Sequence, residues 1–277
     1  FPVFSSLVPK SENYAHPEIG MDTARAADKI EAFLQTLPVE QVHRFAGNGV
    51  CAVIRGKKDG PMIGLRADTD ALPIQEETSV AWKSAIDKCA HLCGHDGHTA
   101  GLLAAATLLA QTRDFAGSVV LIFQPGEEGW AGADKMIKDG LFERYPCREV
   151  FAIHGAPSRP LGTIAVREGA MTASVDIAYM TVEGRGGHGA RPQETIDPMP
   201  AAGDPLAPTV IPQRVNLSAT IRTHSPKVRD KIEARFNEIT QGIGTVFGGE
   251  VKLDYQRRYP PQINDPALVR AILPALQ

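Results

Sequence analysis

The chain has 277 residues, 43% of them apolar and 22% charged. That composition supports one large domain or two small ones and argues against disorder, coiled coil or collagen as a reading of the whole. The 29 Lys plus Arg nearly balance the 32 Asp plus Glu, a net charge of −3, so neither a nucleic-acid footprint nor a polybasic membrane surface is expected.

No apolar run reaches the roughly 18 residues that suggest a membrane span. The start, Phe1-Pro2-Val3, shows no basic segment leading into an apolar one, so no signal peptide is expected. It also lacks an initiator Met, so a native start other than Phe1 is expected. The four cysteines, Cys51, Cys89, Cys93 and Cys147, are too few for a disulfide scaffold. Two of them stand among histidines. That favours metal or redox use in a reducing compartment, and a cytoplasmic location is expected.

Apolar spacing over residues 22–37 predicts an amphipathic helix, with Asp22 or Thr23 as its cap. Residues 50–55 (VCAVIR) and 62–66 (MIGLR) read as strands punctuated by Gly60-Pro61. Residues 98–110, rich in Ala and Leu, predict a largely buried helix. Residues 118–123 (SVVLIF) and 149–153 (EVFAI) are further strands. The alternation predicts an α/β domain with a mainly parallel sheet covered on both faces. Near residue 173 the pattern changes. Residues 173–182 and 214–222 alternate apolar and polar, 227–247 reads as a long helix, and 250–255 as a strand. These predict a smaller α+β domain. Residues 197–212 hold five prolines and no predicted element. So long a structureless stretch points to a flexible loop or to missing residues.

Three predicted strand ends and the lead into one helix carry polar clusters. One runs into Asp68-Thr69-Asp70, and another ends in Gln124-Pro125-Gly126-Glu127-Glu128. A third is followed by His154, and His91 to His98 leads into the Ala-rich helix. Function collects beyond the carboxyl ends of parallel strands. If these strands are neighbours, Asp68, Cys93, His95, Glu127, Glu128 and His154 converge. Thiolate, imidazole and carboxylate together suit Zn²⁺, Mn²⁺, Co²⁺ or Ni²⁺ better than Mg²⁺ or Ca²⁺. The alternation of His91, Cys93 and His95 would put all three on one side of an extended backbone. Of two adjacent glutamates, one can bind metal while the other serves as general base. Both face one cavity only after a turn, which Pro125-Gly126 supplies.

Blander roles are weighed beside these. Asp68 and Asp70 also fit turn forming or helix capping. Cys89 and Cys93 lack the Cys-x-x-Cys spacing of thioredoxin-like redox motifs. Gly184-x-Gly186-x-x-Gly189 matches a dinucleotide fingerprint but not its strand–turn–helix context. Cys51 and Cys147 read as core or surface thiols, and His16, His43 and His224 gain no role from spacing.

The string HLCGHDGHTAGLLAAATLLA at residues 91–110 resembles the metal segment of the hippurate hydrolase and indole-acetyl-amino-acid hydrolase family. This is the N-acyl-amino-acid amidohydrolase branch of the aminoacylase/carboxypeptidase superfamily. HPEIGMDT at His16, GLRADTDALPIQE at Gly64 and FQPGEEGWAGADKMIKDGLFE at Phe123 match in the family's order. So do His154, REGAMTAS at Arg167, GRGGHGARP at Gly184, VIP at Val210 and TIRT at Thr220.

The resemblance implies hydrolysis of the amide bond of N-acyl amino acids, with two divalent metal ions per subunit (Zn, Mn, Co or Ni). Cys93, His95, Glu128 and His154 would be metal ligands, Glu127 the general base and then acid, and Asp68 a residue orienting a ligand. His188 would reach a partner's site in a homodimer or higher homo-oligomer and polarise the scissile carbonyl. Arg222 would grip the substrate carboxylate. A dipeptidase or carboxypeptidase on the same site, or a degenerate metal-binding homologue without catalysis, are the alternatives.

By the same resemblance, residues 1–172 form the metal-binding catalytic domain, 173–260 an inserted α+β dimerisation domain, and 261–277 the start of a return to the first. The sequence departs from the family at Gly155 and Thr209, where Asn is usual. It is also shortened near residues 203–209, and no residue matches the family's final metal-ligand His. Omitted segments are therefore expected.

Overall fold

The computed structural model describes residues 14–40, 42–198 and 209–276. The chain divides into two compact units, Phe1–Pro160 and Leu161–Gln277.

The first unit begins with helix α1 (Ala24–Leu34), which buries Ala27, Ile30 and Leu34 along one stripe. Thr23 stands at its N-cap position, but its side chain makes no capping bond. Glu18 does that work, its carboxylate accepting the N–H groups of Arg25 (3.0 Å) and Ala26 (2.8 Å). Strands β1 (His43–Phe45), β2 (Gly49–Arg55) and β3 (Lys58–Asp68) follow. Helix α2 (His95–Thr112), strand β4 (Ala116–Gln124), helices α3 (Gly132–Lys138) and α4 (Leu141–Arg144) and strand β5 (Glu149–Ala152) complete the unit.

The five strands form one sheet in the order β1-β2-β4-β3-β5. Side chains alternate across it. Val119, Leu121 and Phe123 of β4 join α1 and α2 in one core. Val120 and Ile122 join Met136 of α3, Leu141 of α4 and Tyr145 in the other. Both faces are therefore covered, as the α/β pattern predicts.

The sheet is mixed. β3 runs parallel to β4 and β5, while β2 is antiparallel to β1 and β4. Only Gly56 and Lys57 separate β2 from β3. That is too short for a parallel crossover, so β3 must reverse direction. Helix α2 is less buried than its composition suggests. One stripe from Thr99 to Ala110 is covered, while Leu108 is half exposed.

In the second unit, β6 (Gly169–Thr172) leads to β7 (Val175–Glu183), β8 (Gly187–His188) and a 3₁₀ turn at Pro192–Glu194. Then come β9 (Val210–Ile211), β10 (Arg214–Ile221), α5 (Pro226–Phe247), β11 (Glu250–Tyr259), β12 (Gln262–Asn264) and α6 (Pro266–Ile272). β10-β7-β11 form an antiparallel sheet with the alternating exposure expected of one wet face.

Phe236 of α5 meets Tyr255 of β11 edge to face, with ring centroids 5.8 Å apart. Arg229, buried in α5, bonds both carboxylate oxygens of buried Asp176 on β7, and the Tyr255 hydroxyl donates to the same carboxylate at 3.0 Å. Within the proline-rich stretch, Val210–Ile211 pair with β8, and residues 199–208, with all but Thr209 of the shortening expected near 203–209, lie outside the described residues. Gly184 to Gly189 leads into β8 and the 3₁₀ turn rather than into a helix.

Candidate metal centre

The parallel strands β3, β4 and β5 end along one edge of the first sheet, with Asp68 opposite Gln124 and Arg66 opposite Ala152. The segments leaving that edge bring six predicted residues together. His95 opens α2 and is buried. Gly94, at φ +86°, turns the chain into the helix, a left-handed conformation that costs an L side chain about 1–2 kcal/mol.

His95 Nε2 lies 3.6 Å from Asp68 Oδ2, 3.9 Å from Glu127 Oε2 and 3.7 Å from Glu128 Oε1. Cys93 Sγ is 3.4 Å from His154 Nε2. Donor atoms of Cys93, His95 and His154 all lie within 4.8 Å of one another, as do those of His95, Glu127 and Glu128. His188 and Arg222 belong to the second unit, both exposed, and His188 Nδ1 accepts the Ala190 N–H at 3.1 Å.

Two buried aspartates support the cluster. Asp68 accepts Arg66 Nη1 at 2.7 Å on one oxygen and pairs with His98 Nδ1 at 2.7 Å on the other. Its backbone carbonyl accepts the Thr99 hydroxyl at 2.8 Å, tying β3 to α2. Asp70 accepts the backbone N–H groups of both Glu127 and Glu128, each at 3.0 Å, and faces His95 Nδ1 at 3.4 Å. The sequence reading allows Asp70 only turn forming or capping, and it gives His98 no role. The spacing of His95, His98 and Thr99 at i, i+3 and i+4 on a helix is the signal that points to His98.

His91 stands apart from the cluster. It lines a small polar cavity with His16, Glu18, Thr69, Asp96 and Thr99. The alternation that would align it with Cys93 and His95 ends at the Gly94 turn, because helical backbone follows. All four cysteines are free thiols, and Cys89 donates to the Pro17 carbonyl at 3.4 Å.

The electrostatics favour a cation. Burial opposes the charged form of Asp68, yet the His98 hydrogen bond and the Arg66 guanidinium hold its carboxyl well below the usual range. Burial, then the Glu128 charge, pushes the Cys93 thiol up to about 12. Burial and Glu128 also raise Glu127. Burial lowers the affinity of His95 for a proton, but the carboxylates of Asp70 and Asp68 more than offset this. Neither ring nitrogen of buried His95 makes a well-aligned hydrogen bond, and only the long Asp70 contact at 3.4 Å engages Nδ1. A buried imidazole whose Nε2 makes no hydrogen bond but faces three carboxylates, beside a thiol, fits a soft-to-borderline divalent metal.

A family model described as peptidase family M20/M25/M40 matches residues 64–277. The chain belongs to this family. M20 members are metal-dependent hydrolases, and the chain is an amidohydrolase of this class. It is 33% identical to an N-acetylcysteine deacetylase of Bacillus subtilis over 93% of this chain and 75% of that protein. It is 34% identical to the hippurate hydrolase of Campylobacter jejuni, over 92% and 74%. Thermostable carboxypeptidase 1 of Saccharolobus solfataricus is 32% identical over 95% and 75%. A solved dinuclear metal binding peptidase of the M20 family from Bacillus subtilis superposes with a TM-score of 0.80 at 28% identity, over 99% of this chain and 79% of that one. Among the described residues, no helix is long and apolar enough to cross a membrane.

Proposed function

We propose that this M20 chain hydrolyses the amide bond of N-acyl amino acids, hippurate-like substrates among them. The observation that carries the proposal is the cluster of Cys93, His95, Glu127, Glu128 and His154 at one sheet edge, around an imidazole whose Nε2 makes no hydrogen bond. Cys93, His95, Glu128 and His154 would hold two divalent metal ions. Bound there, such ions supply Lewis acidity toward a carbonyl and acidify water.

Glu127 is the general base and then the acid. Its side chain is 41% exposed against 24% for Glu128, so it is the more accessible of the pair to substrate. Its raised proton affinity suits a group that takes a proton from water and returns it to the leaving amine. Asp70 aims both glutamates through their backbone N–H groups. Asp68 fixes the neighbouring imidazoles.

For His188 we propose a hydrogen bond to the scissile carbonyl. Its Nδ1 accepts from Ala190, which leaves Nε2–H as the donor such a bond needs. Arg222 is proposed to bind the substrate carboxylate. Peptide hydrolysis is the second reading, favoured by the likeness to the carboxypeptidase. We also propose that the second unit pairs two copies of the chain.

The test is hydrolysis of N-acetyl and N-benzoyl amino acids beside free-amine dipeptides, with Mn²⁺, Zn²⁺ or Co²⁺ and with a chelator. Chelator-sensitive turnover of the acylated series is expected. Glu127→Gln should keep its metal and lose about 10²–10⁴-fold in kcat. A variant with near-normal turnover removes Glu127 from this role, and turnover of dipeptides alone selects the second reading.

A further inference from the structure

We propose that His98 is a positioning residue that anchors the backbone at Gly155 and so holds the His154 ring in place at the metal centre; this rests on the metal-centre reading above. His98 Nδ1 lies 2.7 Å from Asp68 Oδ1, whose partner oxygen already receives Arg66. A carboxylate can only accept, so Nδ1 carries the His98 proton. Nε2 is then an acceptor, and the Gly155 N–H donates to it at 2.7 Å. Both nitrogens are used. His98 therefore does not bind metal, even though it lies within 4.8 Å of donor atoms of Asp68 and His95.

Gly155 passes the constraint on. Its carbonyl lies 2.8 Å from His154 Nδ1, which must donate to it. His154 Nε2 is left with its lone pair, and it is the atom that faces Cys93 Sγ at 3.4 Å. The order is thus Asp68, His98, Gly155, His154: Asp68 fixes the His98 tautomer, His98 anchors the Gly155 backbone through its N–H, and the Gly155 carbonyl fixes the His154 tautomer and ring. A ring held through its other N–H is how metal-binding histidines commonly gain orientation. The contact runs through the backbone. A Cβ added at Gly155 would stand 3.5 Å from His98 Nε2, an ordinary distance, so another residue could occupy this position.

The chain as it stands would be titrated with Co²⁺ and read by visible absorption, beside H98N, H98Q and H154Q. An Asn amide takes the place of imidazole Nδ1 and cannot reach Gly155. A Gln amide oxygen takes the place of Nε2 and can accept its N–H. H98N should weaken Co²⁺ binding about 10–100-fold and shift the ligand-field bands toward those of H154Q. H98Q should stay within about threefold of the unaltered chain, below that range. Circular dichroism of the metal-free variants checks folding, and H98Q carries the comparison if H98N does not fold. The proposal is overturned if H98N binds as the unaltered chain does, if it binds weakly with unaltered bands, or if H98Q loses as much as H154Q. An unaltered chain that takes up no Co²⁺ overturns the metal-centre reading itself, a result distinct from any of these.

Discussion

Asp70 accepts two backbone N–H groups with one carboxylate and turns an oxygen toward His95. Its two bonds hold the loop after β4, so the direction of both glutamates depends on a residue on another strand end. Asp70→Asn keeps the volume but puts an amide where one N–H needs an acceptor. Metal affinity and kcat/KM should each fall about 10–100-fold, with secondary structure by circular dichroism unaltered. Normal values for both would remove Asp70 from the support of the centre. In sequence, Asp70 was no more than a polar residue after a strand, since the two N–H groups it serves lie 57 and 58 positions away. Cys93, His95, Glu127, Glu128 and His154 were legible because their chemistry stands out locally, at the start of α2 and just beyond the ends of β4 and β5.

Among the elements, β4 and α5 show what patterning specifies. A run such as VVLIF, apolar throughout, can only be buried on both sides, and β4 is central. Helix α5 is held differently. Arg229 reaches the Asp176 carboxylate at the buried helix–sheet contact, where removing one partner strands the other charge. Burial opposes the ionised form of Asp176, but the Arg229 and Tyr255 hydrogen bonds hold its carboxyl below the usual range.

A depressed carboxyl pKa adds stability above the unfolded-state value, about 3.9, and that stability is lost as pH falls through the folded-state value. Asp176→Ala should therefore cost about 3–5 kcal/mol at pH 7. The gap between variant and parent should narrow below about pH 4. Urea unfolding at pH 7 and at pH 3.5 reads both. A gap as wide at the lower pH would show that the ion pair is not its source. No periodicity marks this pair, because an Arg and an Asp 53 positions apart read as surface charges until the helix docks.

The whole molecule is two units, and the second offers an apolar surface on α5. Ile239, Ile243, Val246 and Phe247 are exposed at helical spacing along one side, with Phe247 70% accessible. Singly exposed apolar residues are ordinary, but a contiguous row fits an interface. If this face pairs two copies, the chain should sediment as a dimer and Ile243→Glu as a monomer with its helix content retained. A monomeric parent at micromolar concentration would exclude this interface.

Amphipathic spacing, unbroken β-branched runs and strand-end clusters of Cys, His and Glu were properties of the sequence alone. From them came the α/β class, most of the longer elements within a few residues, and the residues expected to converge. Local patterns carry that much because burial acts on neighbours at i+2, i+3 and i+4. The tertiary structure decided the rest: the mixed sheet, the separation of His91 from Cys93 and His95, Asp70 under the glutamates, and His98 behind His154. Each depends on contacts between segments distant in the chain, and only folding brings those polar atoms within hydrogen-bond distance.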